Sequence, residues 1–263
     1  MSKLSSVRQR EMQAVIRERG HCTIAELSER FGVSVPTVHR DVNSLVAANE
    51  VRKVHGGVEH APSSAVDMSW NSSFEVRVNR HRERKREIAR RAFAFLEPED
   101  VVFLDSSTTS LYLAREIQRG ETGRLTVVTN SGCIVSEFHR FPRQMSLISI
   151  GGVYNAQLNA FLGGIARQAV EGLRIRTVFL SAVGVSSGGL FTFHEDHASF
   201  LGGLVSRSTR SILLADSSKF GREGLFRICG LGDLSAAVTD RGVPSQCQDW
   251  FSNAGCAFAG GEG

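Results

Sequence analysis

Apolar positions in the first sixty residues recur at helical spacing, and they do so three times. Met12, Val15, Ile16 and Arg19 mark one face of a first helix, which Gly20 would end in the left-handed conformation that favours glycine. Thr23-x-x-Glu26 has the form of a capping box, and Ile24, Leu27 and Phe31 share a face before Gly32 stops the second helix. Ser34 is placed to cap a third helix, with Pro36 tolerated in its first turn, where a missing N–H costs nothing. Val35, Val38, Val42 and Leu45 form the apolar stripe of that helix, and Arg40 falls almost opposite its centre. Pro36, Asn43, Ser44 and Ala47 lie near Arg40, with Thr37 and His39 on the flanks. The alternation in EVRKVHGG then predicts a small β-hairpin, turning at Gly56-Gly57.

The pattern breaks at HAPSSAVDMSWNSS, which is rich in serine and has no period. It divides the chain into a domain over 1–59, a linker over 60–74 and a larger domain over 75–260. In FEVRVNRHRERKREIARRAFAFL, Ile88, Ala92 and Phe95 recur at helical spacing. Arg77, Arg80, Arg82, Arg84, Lys85, Arg86, Arg90 and Arg91 are therefore expected to cover the outer face of one helix. From residue 100 on, short continuous apolar runs alternate with helical patterns. The runs are Val101–Leu104, Leu125–Val128, Met145–Ile150, Val178–Val183, Ile212–Ala215 and Ala236–Val238, with Cys256–Phe258 last. Such runs with helices between them imply a parallel sheet covered on both faces, hence an α/β fold.

Composition changes this picture only modestly. The formal net charge is +4, but it is unevenly placed: 17 Lys/Arg face 11 Asp/Glu through Arg91, and 14 face 16 beyond it. A basic front half is compatible with a polyanion partner. Five cysteines without C-x-x-C spacing read as reduced thiols rather than a disulfide frame or zinc site. No apolar signal core opens the chain and no run is long enough to span a bilayer, so a cytoplasmic protein with no membrane partner is expected.

Two stretches carry chemistry. A short helix, a glycine turn and a second helix with an exposed face around Arg40 make a helix-turn-helix. There Arg can take two bonds from guanine and Asn can read adenine in the major groove. Arg52, Lys53 and His55 on the hairpin would meet phosphates, which position a protein without specifying sequence. From spacing alone, a three-helix packing module with Arg40 simply in solvent remains open.

The second stretch is the set of loops after the apolar runs, where ligands of parallel sheets sit. Val101–Leu104 leads to Asp105, Ser106, Ser107, Thr108 and Thr109, and Leu125–Val128 leads to Thr129, Asn130 and Ser131. Met145–Ile150 leads to Gly151 and Gly152, Val178–Val183 to Gly184, and Ile212–Ala215 to Asp216-Ser217-Ser218-Lys219. Hydroxyls at a helix start suit an anion, and Lys219 adds a mobile positive charge. Each loop alone is more often just a helix cap; their joint placement is what points to a site. No G-x-x-x-x-G-K-[ST] or G-x-G-x-x-G is present, which disfavours nucleotide cofactors, and none is expected. In HEDH (His194 to His197) the histidines are three apart with nothing to complete a metal site. Glu195 at the pocket mouth, or an exposed polar turn, is the reading instead, and no metal is expected.

TIAELSERFGVSVPTVHRDVNSLVAANEVRKVHGG closely resembles the N-terminal winged helix of the DeoR family of bacterial transcription regulators. The matches include Leu27, Phe31, Val33, Ser34, Thr37, Arg40, Asp41, Leu45, His55, Gly56 and Gly57. LDSSTTSLYLA, TNS, GGVYN, FLGGIA, GGLFT, LADSSKFG and VTD follow that family's C-terminal sensor in order. The resemblance implies a winged helix-turn-helix plus a Rossmann-like, mainly parallel α/β/α sensor similar to ribose-5-phosphate isomerase and glucosamine-6-phosphate deaminase. It also implies double-stranded operator DNA and a phosphorylated sugar or related metabolite as partners. Ser106 to Thr109 would then cradle the phosphate, with Asp105, Thr129, Asn130, Gly151, Gly152, Gly184 and Lys219 around the ligand.

The chain departs from the family pattern at His39, where Arg is usual, at Asn49 for Gly and at Lys53 for Arg. Leu201-Gly202-Gly203 stands where a Lys or Arg is usual. The related isomerase places acidic residues after the strand that here reads FLSAVGVSSGG. This chain offers Ala182, Val183, Gly184, Val185, Ser186 and Ser187, none titrating near neutral pH. The reading is therefore a non-enzymatic regulator, a repressor of carbohydrate catabolism genes released by its effector, working as a dimer or tetramer. Two alternatives stay open: an isomerase-like enzyme with an accessory DNA module, using Glu195 or Asp216 as base, and a constitutive DNA binder with an empty pocket.

Overall fold

Three groups of apolar side chains, one in the first part of the chain and two in the second, give it two compact units, Met1–Ser72 and Ser73–Gly263. The computed structural model describes residues 3–19, 21–47, 50–54, 57–60 and 73–260. Gly20, Asn49, His55, Gly56 and nearly all of the 60–74 linker lie outside the described residues.

In the first unit the helices are α1 (Lys3–Arg19), α2 (Ile24–Phe31) and α3 (Val35–Ala47). Strands β1 (His21–Thr23), β2 (Val51–Val54) and β3 (Gly57–His60) form an antiparallel sheet in the order β1-β3-β2. Met12, Val15 and Ile16 of α1, Leu27 of α2, and Val38, Val42 and Leu45 of α3 close one core with Cys22, Val51 and Val58. The capping box is formed: Glu26 N–H donates to Thr23 Oγ1 at 3.2 Å, and Thr23 N–H donates to Glu26 Oε2 at 2.7 Å. Gly32 ends α2 with φ 60°, where a side chain would be strained. Three details differ from the sequence pattern. Val35 is 46% exposed, outside the α3 stripe, and Arg19 is exposed rather than on the α1 core face. Gly57 is a strand residue paired with Thr23 rather than part of the turn, and a Cβ there would stand 2.4 Å from the Cys22 carbonyl oxygen.

In the second unit a short α4 (Phe74–Asn79) precedes α5 (Arg82–Phe93). The chain then runs β4 (Val101–Leu104), α6 (Thr108–Ile117), β5 (Thr126–Thr129), α7 (Gly132–Glu137) and β6 (Ser146–Ser149). A hairpin, β7 (Val153–Asn155) and β8 (Ala160–Leu162), leads to α8 (Gly163–Glu171) and β9 (Thr177–Leu180). Next come β10 (Gly184–Ser186), β11 (Gly189–Thr192), α9 (Glu195–Val205), β12 (Arg210–Leu214) and β13 (Phe226–Cys229). The chain closes with β14 (Ala236–Val238), α10 (Ser245–Asn253) and β15 (Ala257–Ala259). Seven strands make a sheet in the order β15-β14-β12-β9-β4-β5-β6, and every neighbouring pair in it is parallel.

Strand alternation sorts its side chains to two sides. Val102, Leu104, Val127, Phe179, Ile212 and Leu214 pack with Ile88, Ala92, Leu111 and Ile117 from α5 and α6. Phe103, Val128, Val178, Leu180 and Leu213 pack with Ala166, Phe200, Leu204 and Phe251 from α8, α9 and α10. The fold is thus a three-layer α/β/α sandwich, each large side chain so buried contributing about 1.5–3 kcal/mol. The β7–β8 hairpin and the three-stranded sheet β10-β11-β13 are additions that the apolar runs did not predict. Val178–Val183 is correspondingly not one strand: it ends at Leu180, and Gly184 opens the smaller sheet.

Candidate functional site

Helix α3 presents Pro36, His39, Arg40 and Asn43 exposed, with Thr37 and Ser44 half-buried beside them. Ser34 precedes the helix; its carbonyl accepts from Val38 N–H at 3.0 Å, and its hydroxyl lies 3.0 Å from that of Thr37. Ser44 Oγ donates to the Arg40 carbonyl at 3.1 Å. On the opposite side, buried Asp41 accepts from Arg8 Nε at 2.6 Å and Gln9 Nε2 at 2.9 Å, tying α3 to α1. Asp41 stands three residues from Val38 and four from Leu45, on the buried stripe. A carboxylate in that register was the sequence signal for such a tie. Lys53 of β2 is exposed; the side chain of Arg52 and all of His55 lie outside the described residues.

Because the seven strands are parallel, the loops after β4, β5, β6, β9 and β12 leave along one edge of the sheet. Asp105 is fully buried there. Its Oδ1 accepts from Ser107 N–H at 3.0 Å and Ser110 Oγ at 2.5 Å, and its Oδ2 from Ser181 N–H at 2.8 Å. Both oxygens are committed to protein donors, so Asp105 shapes the loop rather than offering itself to a ligand. Ser107 caps α6, accepting from Ser110 N–H at 3.0 Å, which leaves Ser106, Thr108 and Thr109 as the other hydroxyls of the turn. Thr129 is likewise engaged, donating to the Leu104 carbonyl at 2.6 Å and accepting from Ser131 N–H at 3.1 Å. Asn130 donates to the Phe161 carbonyl at 3.1 Å, while its buried Oδ1 has no hydrogen-bond partner.

The glycines divide. A Cβ on Gly151 would meet nothing within 4 Å, whereas on Gly152 it would lie 2.5 Å from the Leu162 oxygen and on Gly184 2.5 Å from the Arg222 oxygen. Gly184 and Gly152 therefore serve close backbone packing, and only Gly151 borders open space. Glu195 is exposed in the first turn of α9. Lys219 follows Asp216, whose buried carboxylate is disfavoured by desolvation but is held below the usual range by Lys219 and a Ser218 hydrogen bond. Among the described residues no three His, Cys, Asp or Glu side chains are arranged to hold a metal. Nor is any helix among them long and apolar enough to cross a membrane.

The basic run before β4 is not one solvated helix. His81 takes a left-handed φ of 51°, breaking the run into α4 and α5 as an elbow. Lys85 is buried, its ammonium donating to the carbonyls of Arg77 and, at 2.8 Å, Arg80. Desolvation pulls the Lys85 pKa down to about 7 against the attraction of Asp216. Arg84 donates to Ser217 Oγ at 3.0 Å beside Asp240. Arg77 donates to the Gln157 carbonyl in the β7–β8 turn and lies over the Phe74 ring, 5.5 Å from its centroid. Burial lowers the Arg77 pKa while the charge of Asp105 raises it. The elbow thus meets the β7–β8 turn at one end and the loop after β12 at the other, a placement that helical spacing did not reveal. A separate open groove on α5, lined by Glu87, Arg90, Arg91 and Arg241, has its carboxylate already paired with Arg91 at 2.7 Å and Arg241 at 3.6 Å.

Comparison with known proteins places both halves. The family model "DeoR-like helix-turn-helix domain" matches residues 8–64, and "DeoR C terminal sensor domain" matches residues 80–241. The L-fucose operon activator of Escherichia coli is 30% identical over 90% of this chain and 96% of its own. The lactose phosphotransferase system repressor of Staphylococcus epidermidis is 31% identical over 88% of this chain and 90% of its own. Among solved structures, a ribose-5-phosphate isomerase in complex with phospho-erythronic acid aligns at 19% identity and a TM-score of 0.38. That alignment covers 53% of this chain and 54% of that one, a distance at which it carries no weight for function. With the sensor match alone spanning more than half of the sequence, and the helix-turn-helix match containing the Arg40 face, this chain belongs to the DeoR family of DNA-binding transcription regulators.

Proposed function

We propose that this regulator is a repressor of carbohydrate catabolism genes, acting in the cytoplasm as a dimer or tetramer and released from its operator by a phosphorylated sugar or related metabolite. In this reading residues 1–59 bind DNA, 60–74 connect, and 75–260 sense. Ser34, Pro36, Thr37, His39, Arg40, Asn43 and Ser44 meet the major groove, while Arg52, Lys53 and His55 meet phosphates. Ser106, Ser107, Thr108 and Thr109 receive the effector's anion at the start of α6, with Asn130, Gly151, Glu195 and Lys219 around it. Asp105, Thr129, Gly152 and Gly184 hold the loops in shape. The observation that carries the reading is the shared edge of five parallel strands, which gathers hydroxyls, an amide oxygen without a partner and a lysine.

Turnover is not part of the proposal. The backbone after β9 carries no titratable side chain from Ala182 to Ser187, Glu195 is exposed, and Asp216 is engaged by Lys219 and Ser218. The relatives include an activator and a repressor by name, and release on effector binding requires only that the two sensor states hold DNA unequally. A melting-temperature screen of phosphorylated sugars, followed by fluorescence anisotropy on operator DNA, tests this. A compound that raises the melting temperature should also lower DNA affinity. Arg40→Ala should weaken DNA binding by about 1–3 kcal/mol with no loss of thermal stability. Ketose–aldose interconversion by the purified protein, abolished in Glu195→Gln, would instead make it an enzyme.

A further inference from the structure

The Arg77 guanidinium differs in its surroundings from nine other arginines of the sensor. Arg84, Arg86, Arg91, Arg115, Arg119, Arg167, Arg176, Arg210 and Arg241 each lie within 4 Å of a carboxylate. Arg77, half-buried, has one carbonyl and one aromatic face, with no carboxylate in contact among the described residues. Its Nε is sealed from solvent and has no hydrogen-bond partner. Asp105 is near enough to be felt, but its oxygens are already met by Ser107, Ser110 and Ser181. A guanidinium has five donors in a planar fork that suits a phosphate or carboxylate, and a buried one without such a partner is costly.

A second orphan donor lies in the same surroundings. His197 of α9 is 8% exposed, shares its Nδ1 with Thr192 Oγ1 at 3.3 Å, and leaves Nε2 buried without a partner. Burial lowers its pKa to about 4, with Asp105 opposing and His194 and Arg77 reinforcing, so the ring is neutral. In the tautomer with Thr192 donating to Nδ1, Nε2 carries the ring's one proton.

Resting on the reading of an anionic effector at this strand edge, we propose that Arg77 is an effector-binding, specificity-determining residue. It would grip the effector's anionic group, with His197 as a supporting donor. Its desolvation is incurred before the ligand arrives, so an anion reaching the guanidinium is bound by a pre-set, weakly hydrated cation. The α4–α5 elbow thereby becomes the roof of the pocket, and effector contact is made directly on the helix that follows Ser73.

Wild-type protein is titrated with inorganic phosphate and with a panel of pentose and hexose phosphates, each beside its unphosphorylated sugar, following the melting temperature. The compound that stabilises it is then titrated against Arg77→Met, Arg77→Lys and His197→Gln. Arg77→Met should weaken binding by about tenfold or more. Arg77→Lys, which keeps the charge but loses the fork and Nε, should weaken it by at least about threefold. The melting temperature of each variant without ligand is read alongside, so that a loss of binding is separated from a loss of folding. If Arg77→Met fails to fold, Arg77→Lys carries the test. Wild-type affinity in every Arg77 variant that folds overturns the inference and leaves the proposed function standing. If no phosphate compound moves the wild type, the phosphorylated-effector reading falls, and this inference falls with it.

Discussion

At the scale of single residues, charge type says less than what each charge touches. Asp105 and Asp41 are both buried carboxylates next to sequences suited to anions or DNA, and both are spent on holding the fold. Asp105 takes three hydrogen bonds from three separate segments: the α6 turn, the helix itself and the residue after β9. Replacing it with Asn turns one acceptor into a donor facing a donor. Urea denaturation should show the sensor destabilised by about 2–4 kcal/mol. The DSSTTS stretch announced an anion loop, but not which of its members would be consumed by the turn. That division depends on Ser181, seventy-six residues away, whose N–H no local pattern could have aimed at Asp105. Arg77 escaped notice for a related reason: it sits in a run of basic residues that reads as a solvated face, and only the tertiary fold lays Gln157 and Phe74 against it.

At the scale of elements, the main strands were legible because a strand buried on both faces must be apolar without interruption. Val101–Leu104 and Ala236–Val238 match the apolar runs residue for residue. The β7–β8 and β10–β11 hairpins were not legible. Each strand has only three or four residues, too few to show a period, although Ser187-Gly188 followed by Gly189 at φ 127° is a turn signal of the kind that hairpins use. The elbow between α4 and α5 has a consequence for stability. Lys85 holds both of its carbonyls from inside, and a neutral amine keeps two N–H donors for those two acceptors. The unfolded chain keeps the Lys85 proton up to about pH 10.5, and the folded chain only to about 7. Between these values unfolding takes up a proton, so this group makes stability rise with pH across that window and weakens it below. Lys85→Met should flatten the rise in urea midpoint between pH 7 and 10, by on the order of 1–3 kcal/mol relative to wild type.

At the scale of the whole molecule, the two units carry separate cores and separate chemistry, which lets their contributions be dissected. Asp41→Ala removes the tie between α1 and α3, where Arg8 is partly exposed and the pair correspondingly screened. It should cost the DNA-binding unit about 1–2 kcal/mol and weaken operator binding, while phosphosugar affinity measured by calorimetry stays at the wild-type value. An equal loss at both sites would mean that the small unit's fold supports the sensor. The position of β4 has a consequence of another kind. With four strands on one side of it and two on the other, it is an interior strand, bonded to β9 and β5 alike. A guest lodged at its tip rests on a strand fastened along both sides, beneath a ceiling hung from a handful of polar tethers. Choosing a different guest then means refitting the ceiling while the foundations stay as they are.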